Sequence, residues 1–589
     1  MTKDKYFREE LAFLKEQGKA FTELHPQLAR FLHGRHTDPD VERLLEGFAF
    51  LTGKLREKVD DDFPELTHSI INMLWPNYLR PVPSMCIAQF KPEDNLSEKQ
   101  TVIKGTELDS NAVMKTQCRF QTCREVDLYP LYCANVHAEH TREATTIQLQ
   151  MMLSGDMSVR DANINKLRFY IGGDKYSAQM IYLWLSHHLE KLTVHVDGTE
   201  FSLPRDAFSS VGFNPGDGLL PYPQNVYDGY RVLQEYLSFP EAFHFIDIGG
   251  LDKAIPSNVY GKFTVQLHLS KTLPSDVRVR AESFQLYCTP IINLFNHDAD
   301  PIDLTGKNTE YKVIPSSNKP AHYEVFSIDN VTGRQDKVID GQPIRGQKRV
   351  YTPFESFQHE VERVRNRETL YYRARVKDSI RGDGFDSFIS FIRGDESLSV
   401  DVDEAVSIKL TCTNRQLPLE LGVGDICYPT DSSPPFAEFK NITIPTQALR
   451  PVLDGSLLWM LISNLSLNYL SLLSKDALSC VLTAYDFRAL VDRQAERVGK
   501  QRLNAIEDIQ SKPMDKLLRG MPVRGLQSTI YLNQDGFGSE GDLYLFGTVL
   551  SHFFSLYASI NSFHELTVIN TTNNETYTWQ TRVGKQPLI

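Results

Sequence analysis

The chain has little of what usually announces a chemistry. Its 589 residues include only eight cysteines, at 86, 118, 123, 133, 288, 412, 427 and 480. They are too scattered for a disulfide framework, so reduced thiols in a cytosol are expected. No GxSxG, HExxH, CxxC or protein-kinase signature occurs, which removes the local marks of α/β-hydrolases, zinc proteases, thiol oxidoreductases and kinases. The most apolar stretch, Leu457 to Leu473, is interrupted by Ser463, Asn464, Ser466, Asn468 and Ser471 and reads as a core helix rather than a membrane span. Asp4, Glu9 and Glu10 fall where a secretory signal needs an apolar region, so no export address is expected. Positive charge is also short: 63 Lys and Arg against 75 Asp and Glu leave −12, so neither nucleic acid nor an anionic lipid surface is the expected partner. Repeats of 20–50 residues and low-complexity linkers are absent.

What is present is a folded chain, 41% hydrophobic and 23% charged. It is too long for one core, and roughly three to five domains are expected. Near the N-terminus, Phe7, Leu11, Leu14, Gly18, Phe21, His25, Leu28 and Leu32 recur in steps of four and three, a helix seam that Pro26 interrupts. After a turn at Thr37-Asp-Pro-Asp a second helix places Leu44, Phe48, Leu51, Leu55 and Val59 on one side, and Pro64 opens a third piece with Leu66, Ile70 and Leu74. Helices this short cannot bury all their apolar faces on each other, so the next domain or another chain must cover them.

Beyond Pro81 the period becomes two: Ile147, Leu149, Met151, Leu153; Leu192, Val194, Val196; Phe263, Val265, Leu267, Leu269; Val406, Ile408, Leu410, Cys412. These read as half-buried antiparallel strands, with a helix around 229–239. Further on the pattern predicts a helix at 455–473, a charged helical stretch at 492–510, a strand at 527–532, a helix at 541–562 and strands at 566–570 and 576–580. The expected fold class is α+β and multidomain: an N-terminal amphipathic helical bundle over 1–82, a β-rich domain with short helices over 83–275, a second β-rich domain over 276–445 and an α+β domain over 446–589.

Several segments imitate functional motifs. Gly536-Phe-Gly-Ser-Glu-Gly541 is a literal GxGxxG between a strand and a helix. The 48 residues after Gly541 leave no room for a dinucleotide-binding domain, so it reads as a loop leading into a helix. Gly47 to Gly53-Lys54 mimics a phosphate loop, but has five intervening residues, lacks the metal-binding hydroxyl and lies inside a helix. Cys118, Cys123, Cys133, His137 and His140 cluster without a zinc knuckle's tight spacing, and Cys118 shares a strand face with Phe120, as buried thiols would. His297-Asp-Ala-Asp-Pro-Ile-Asp303 fails as a calcium loop at Ile302 and Asp303 and reads as a capped turn. In the basic stretch Arg363–Arg381, Leu370, Tyr372, Ala374 and Val376 alternate with Tyr371, Arg373, Arg375 and Lys377. That is a strand with a basic outer face, either solvated or docking an acidic partner. No catalytic, cofactor or metal residue is assigned.

Long blocks of the sequence resemble one family. They include Glu10-Leu-Ala-Phe-Leu, the run from Asp38-Pro-Asp-Val-Glu-Arg-Leu-Leu-Glu-Gly through Phe63-Pro to Pro76-Asn-Tyr-Leu-Arg-Pro-Val-Pro-Ser-Met85, and Leu219-Leu-Pro-Tyr-Pro with Gly229-Tyr-Arg-Val-Leu-Gln-Glu-Tyr-Leu. Cys288-Thr-Pro-Ile-Ile-Asn-Leu-Phe, Cys412-Thr-Asn-Arg-Gln-Leu-Pro, Leu457-Leu-Trp-Met-Leu-Ile-Ser-Asn and Ser559-Ile-Asn-Ser-Phe complete the set. The chain is similar in these blocks to the TssF (ImpG, VasA) family of type VI secretion baseplate wedge subunits. The resemblance implies a non-enzymatic protein without cofactor. Two copies of it would combine with one TssG and recruit TssK and TssE. Such wedges would surround the VgrG spike and found the platform for tube and sheath, in the bacterial cytoplasm at the inner face of the inner membrane, with the membrane complex an indirect partner. It also implies a bundle shared with TssG and the second TssF copy, with Phe7, Leu11, Leu14, Phe21, Leu44, Phe48, Leu51 and Leu55 as its packing residues. The alternatives are a cytosolic enzyme with a dispersed site, which requires a deep polar pocket, and a phage-derived contractile-tail protein.

Overall fold

The computed structural model describes residues 76–451 and 474–584 apart from short intervals, the longest at 355–369 and 394–403, together with residues 43–52 and positions 11, 14 and 71. The chain divides into two compact units, residues 1–72 with 453–463 and residues 73–452 with 464–589. It is an α+β, strand-rich protein of several sheets. No helix among the described residues is long and apolar enough to cross a membrane.

In the smaller unit, residues 43–52 are helical, as are Leu11 and Leu14. The remaining predicted bundle residues, Phe7, Phe21 and Leu55, lie outside the described residues, as does the helix expected at 455–473.

The larger unit is organised by its sheets. Three of the four period-two runs converge in one five-stranded antiparallel sheet, ordered Thr199–Leu203, Leu189–Val196, Lys262–Leu269, Thr145–Leu153, Leu131–His140, while the run from Val406 to Cys412 joins a different, eight-stranded one. Val265 stands opposite both Leu149 and Val194, and Leu267 opposite Ile147 and Leu192. The apolar residues therefore form continuous rows on the buried face. The hairpin between Val196 and Thr199 turns through Asp197 and Gly198, both at positive φ (46° and 82°), the conformation a two-residue hairpin loop demands.

A six-stranded sheet takes its members from distant parts of the chain, in the order Ile426–Pro429, Glu107–Val113, Thr116–Thr122, Cys288–Ile292, Met85–Pro92, Ala437–Asn441. It draws on both sides of the boundary expected at 275/276. Residues 295–413 build an eight-stranded sheet whose buried side chains include Val331, Tyr351, Tyr372, Ile389, Phe391, Val406, Ile408 and Leu410.

The C-terminal region pairs strand Met521–Leu532 in parallel with Phe563–Asn570, and the helix Glu540–Tyr557 connects them. This helix is covered nearly all round, with Leu543, Leu545, Phe546, Val549, Leu550, Phe553 and Phe554 buried. Helices Lys175–His187 and Gly229–Ser238 lie against it. One expectation fails here. The charged stretch 492–510 is helical only over Arg493–Asn504, and Ile506–Leu518 is a long strand paired with 521–532 around a turn containing Gly520 at φ 80°. The neighbouring strand supplies the backbone partners that the charged sequence does not advertise, and an edge position tolerates Pro513.

Candidate partner-binding surface

The motif-like segments have structural jobs. Ser539 caps the 540–557 helix by accepting from the Asp542 amide at 3.1 Å, while its hydroxyl donates to Gln179 Oε1 at 2.7 Å. A side chain at Gly541 would lie 2.1 Å from the Gln179 carbonyl oxygen, and one at Gly536 2.3 Å from the Ala505 methyl. Two of the three motif glycines are therefore required for close packing, and the helix start is filled by the chain's own side chains. In the Gly47 segment, the described part is helix, so its amides are engaged along the helix axis.

Cys118 and Phe120 share the buried face of strand Thr116–Thr122, as expected. Cys133, His137 and His140 belong to a strand of another sheet, and His140 bonds Thr145 at 3.0 Å. Burial pushes the Cys118 and Cys123 thiols up to about 12. In the 297–303 segment, Asp300 accepts from the Ser317 amide at 3.0 Å and from the Ser317 hydroxyl, and His297 pairs with the Pro315 carbonyl at 3.0 Å.

The basic strand Leu370–Asp378 forms as predicted, but its faces differ from the predicted alternation. Tyr371 is buried with its ring edge-on to Phe354, and Ala374 is exposed. The strand is interior to its sheet, flanked by 348–353 and 385–393, so the end near Tyr371 and Tyr372 is covered on both sides. Two of its three cations are engaged within the chain: Glu310 takes Lys377 at 2.6 Å and Arg375 at 3.4 Å, and Lys377 lies 4.6 Å from the centre of the Phe388 ring.

Three of the blocks that carry the family resemblance, at 219–237, 288–295 and 412–418, hold mainly buried contacts in the larger unit. Arg231 and Glu235, 1% and 0% exposed, pair at 3.0 Å one turn apart. Glu235 Oε1 accepts from the Leu219 and Leu220 amides at 2.7 and 3.2 Å, and Arg231 donates to the Asn214 carbonyl at 3.1 Å. The pair thus fixes the 214–220 loop to the 229–238 helix. Burial pushes the Glu235 carboxyl up against the opposing pull of Arg231 and the two amides. Beside it Arg124, lowered to about 10 by burial, donates to the Asp217 and Ala242 carbonyls at 2.9 Å each. The Asn414 amide donates to Asn293 Oδ1 at 2.7 Å, and Asn293 Nδ2 returns a bond to Asn414 Oδ1 at 2.9 Å. This buried amide pair stitches the six-stranded sheet to the eight-stranded one. Tyr78 closes edge-on over Tyr485 and Phe487.

A cavity of about 30 Å³, of water size, lies among Glu125, Asp127, Lys166 and Arg168. Three of its four charged residues are paired: Arg168 holds Asp247 at 2.7 Å, Lys166 reaches the same carboxylate at 3.3 Å and Lys99 holds Asp127 at 3.0 Å.

Against this internal satisfaction, the described helix 43–52 stands out. Leu44, Phe48 and Leu51, spaced four and three apart and so on one face, are 73%, 56% and 62% exposed, while Ala49 on another face is buried. Phe50 is exposed as well, off that stripe; the heptad pattern does not include it. Leaving each such side chain in water forgoes about 1.5–3 kcal/mol of burial.

A family model described as the type VI secretion system protein TssF matches residues 2–586. The chain belongs to the TssF family. A curated relative, the type VI secretion system component TssF1 of Pseudomonas aeruginosa, is 26% identical over 633 aligned positions, spanning 99% of this chain and 98% of the relative. Among solved structures, a chain of a TssK–TssF–TssG baseplate subcomplex determined by cryo-electron microscopy is 30% identical, with a TM-score of 0.77 over 92% of this chain and 98% of that one. A chain of a type VI baseplate complex is 27% identical, with a TM-score of 0.64 over the whole of both. The protein is accordingly a structural component of the type VI secretion baseplate.

Proposed function

We propose that the chain acts as a wedge subunit by multivalent contact and not by turnover. It would bind TssG and TssK, with TssE and the VgrG spike joining the wider assembly, at the cytoplasmic face of the inner membrane. The observation that carries this reading is the exposed stripe Leu44, Phe48 and Leu51 in a chain similar along its length to one solved with TssK and TssG. In this reading Phe7, Leu11, Leu14, Phe21 and Leu55 extend the stripe into a helical bundle shared with TssG and a second copy of the chain. Apolar cores with few charges give such bundles stability, and symmetry-related copies give them register. The internal pairing of the polar groups described above favours a scaffold over an enzyme, whose charged groups would converge on open space.

Co-expression with TssG and TssK from the same type VI gene set, followed by native mass spectrometry, tests the reading. It expects a complex with two copies of this chain per TssG. A folded chain that remains uncomplexed while TssG and TssK are both soluble would overturn it.

A further inference from the structure

Among the described residues, one group of three metal-competent side chains converges: His187, His188 and Glu575, whose donor atoms all lie within 4.8 Å of one another. We propose that these residues form a zinc-binding site that fastens the 571–575 turn to the end of the 175–187 helix.

The geometry comes from three elements. His187 is the last residue of the helix and His188 its C-terminal cap, with ring centres 4.7 Å apart. Glu575 ends the turn after strand Phe563–Asn570, held there by the Asn570 amide bonding its carbonyl at 2.9 Å. Lys271, just past strand Lys262–Leu269, reaches Glu575 Oε1 at 2.8 Å. Tyr577, whose ring meets His187 edge-on, is committed elsewhere, its hydroxyl donating to Glu540 at 2.6 Å. Neither imidazole makes a hydrogen bond among the described residues, so their ring nitrogens are available as donors.

Two imidazoles and a carboxylate are a borderline nitrogen and oxygen set suited to zinc, with a fourth tetrahedral position left to water. The free carbonyls at a helix C-terminus add partial negative charge that favours a cation. Lys271 opposes the metal, because its ammonium neutralises the carboxylate that zinc would share.

The competition gives the test two arms of opposite sign. The full-length chain, stripped with chelator, is titrated with zinc chloride, read by calorimetry and by elemental analysis after gel filtration. One zinc per chain is expected, with a higher melting temperature when zinc is present. His187→Ala with Glu575→Gln should weaken binding by more than about 100-fold, beyond the effect of losing an outer-shell partner. Lys271→Met should tighten it several-fold, although it removes an ion pair from the apo chain. Absence of stoichiometric zinc in the parent protein overturns the proposal. So does unchanged affinity in the double variant, or weaker binding in Lys271→Met.

Discussion

Replacing Arg231 with Met removes one half of a fully buried ion pair and leaves Glu235 with the Leu219 and Leu220 amides and the more distant charge of Arg124. Breaking such a pair from one side costs about 3–5 kcal/mol, because an uncompensated charge stays in the interior. The sign with pH follows from the raised Glu235 carboxyl. Burial already lifts it in the folded state, so the folded protein holds that proton more tightly than the unfolded chain. That contribution to stability is full below the unfolded pKa and is lost as pH rises through the folded one. Without Arg231 the carboxyl rises further. The stability difference between parent and variant should therefore be largest near pH 8 and shrink towards pH 5, by about 1.4 kcal/mol for each further tenfold weakening of the acid. Urea unfolding of both proteins across this range, followed by tryptophan fluorescence, measures it. The double variant Arg231→Met/Glu235→Leu should regain much of the loss, since an apolar pair of similar volume often matches a buried ion pair. A difference below about 1 kcal/mol that does not change with pH would refute the reasoning that this pair locks the 214–220 loop.

Other outcomes follow from the same geometry. Gly541→Val should prevent the 540–557 helix from seating against Gln179 and yield insoluble or protease-sensitive protein, whereas Gly538→Ala, where only Asp542 is near at 3.9 Å, should be mild; limited proteolysis separates them. Ser539→Ala removes the helix cap and the Gln179 bond together and should cost about 1–2 kcal/mol in unfolding free energy. Maleimide should label exposed Cys427 rapidly in the folded protein, while the buried Cys86, Cys118, Cys123, Cys288 and Cys412 react only on unfolding, as mass spectrometry of the labelled peptides would show.

The strands of the five-stranded sheet are legible in the sequence because one face meets the core and the other water, which writes a period of two directly into residues such as Ile147, Leu149 and Met151. Strand Ile506–Leu518 is not, because Glu507, Asp508, Lys512 and Asp515 suit its exposed edge and its pairing comes wholly from the strand that follows. Tyr371 departs from the expected outer face for a related reason: alternation reports which side chains match, not whether Phe354 returns to cover the second face. The candidate surface is half visible. The seam spacing marks Leu44, Phe48 and Leu51, but spacing alone does not distinguish an intramolecular seam from an open one; in the described helix 43–52 the three are exposed. Three of the blocks that carry the family resemblance hold interior contacts, Arg231 with Glu235 and Asn293 with Asn414, so in these blocks the sequence pattern reports the scaffold. The convergence of His187 and His188 with Glu575 is invisible to any spacing rule, since the partners meet only through the fold.

The most direct measurement is capture of TssG by the variant Phe48→Asp/Leu51→Asp, compared with the parent chain at equal concentration. Both substitutions fall on exposed positions, so the variant should keep the parent's circular dichroism and melting temperature while losing TssG. A folded variant that captures TssG as the parent does would contradict the claim that this helix face builds the wedge.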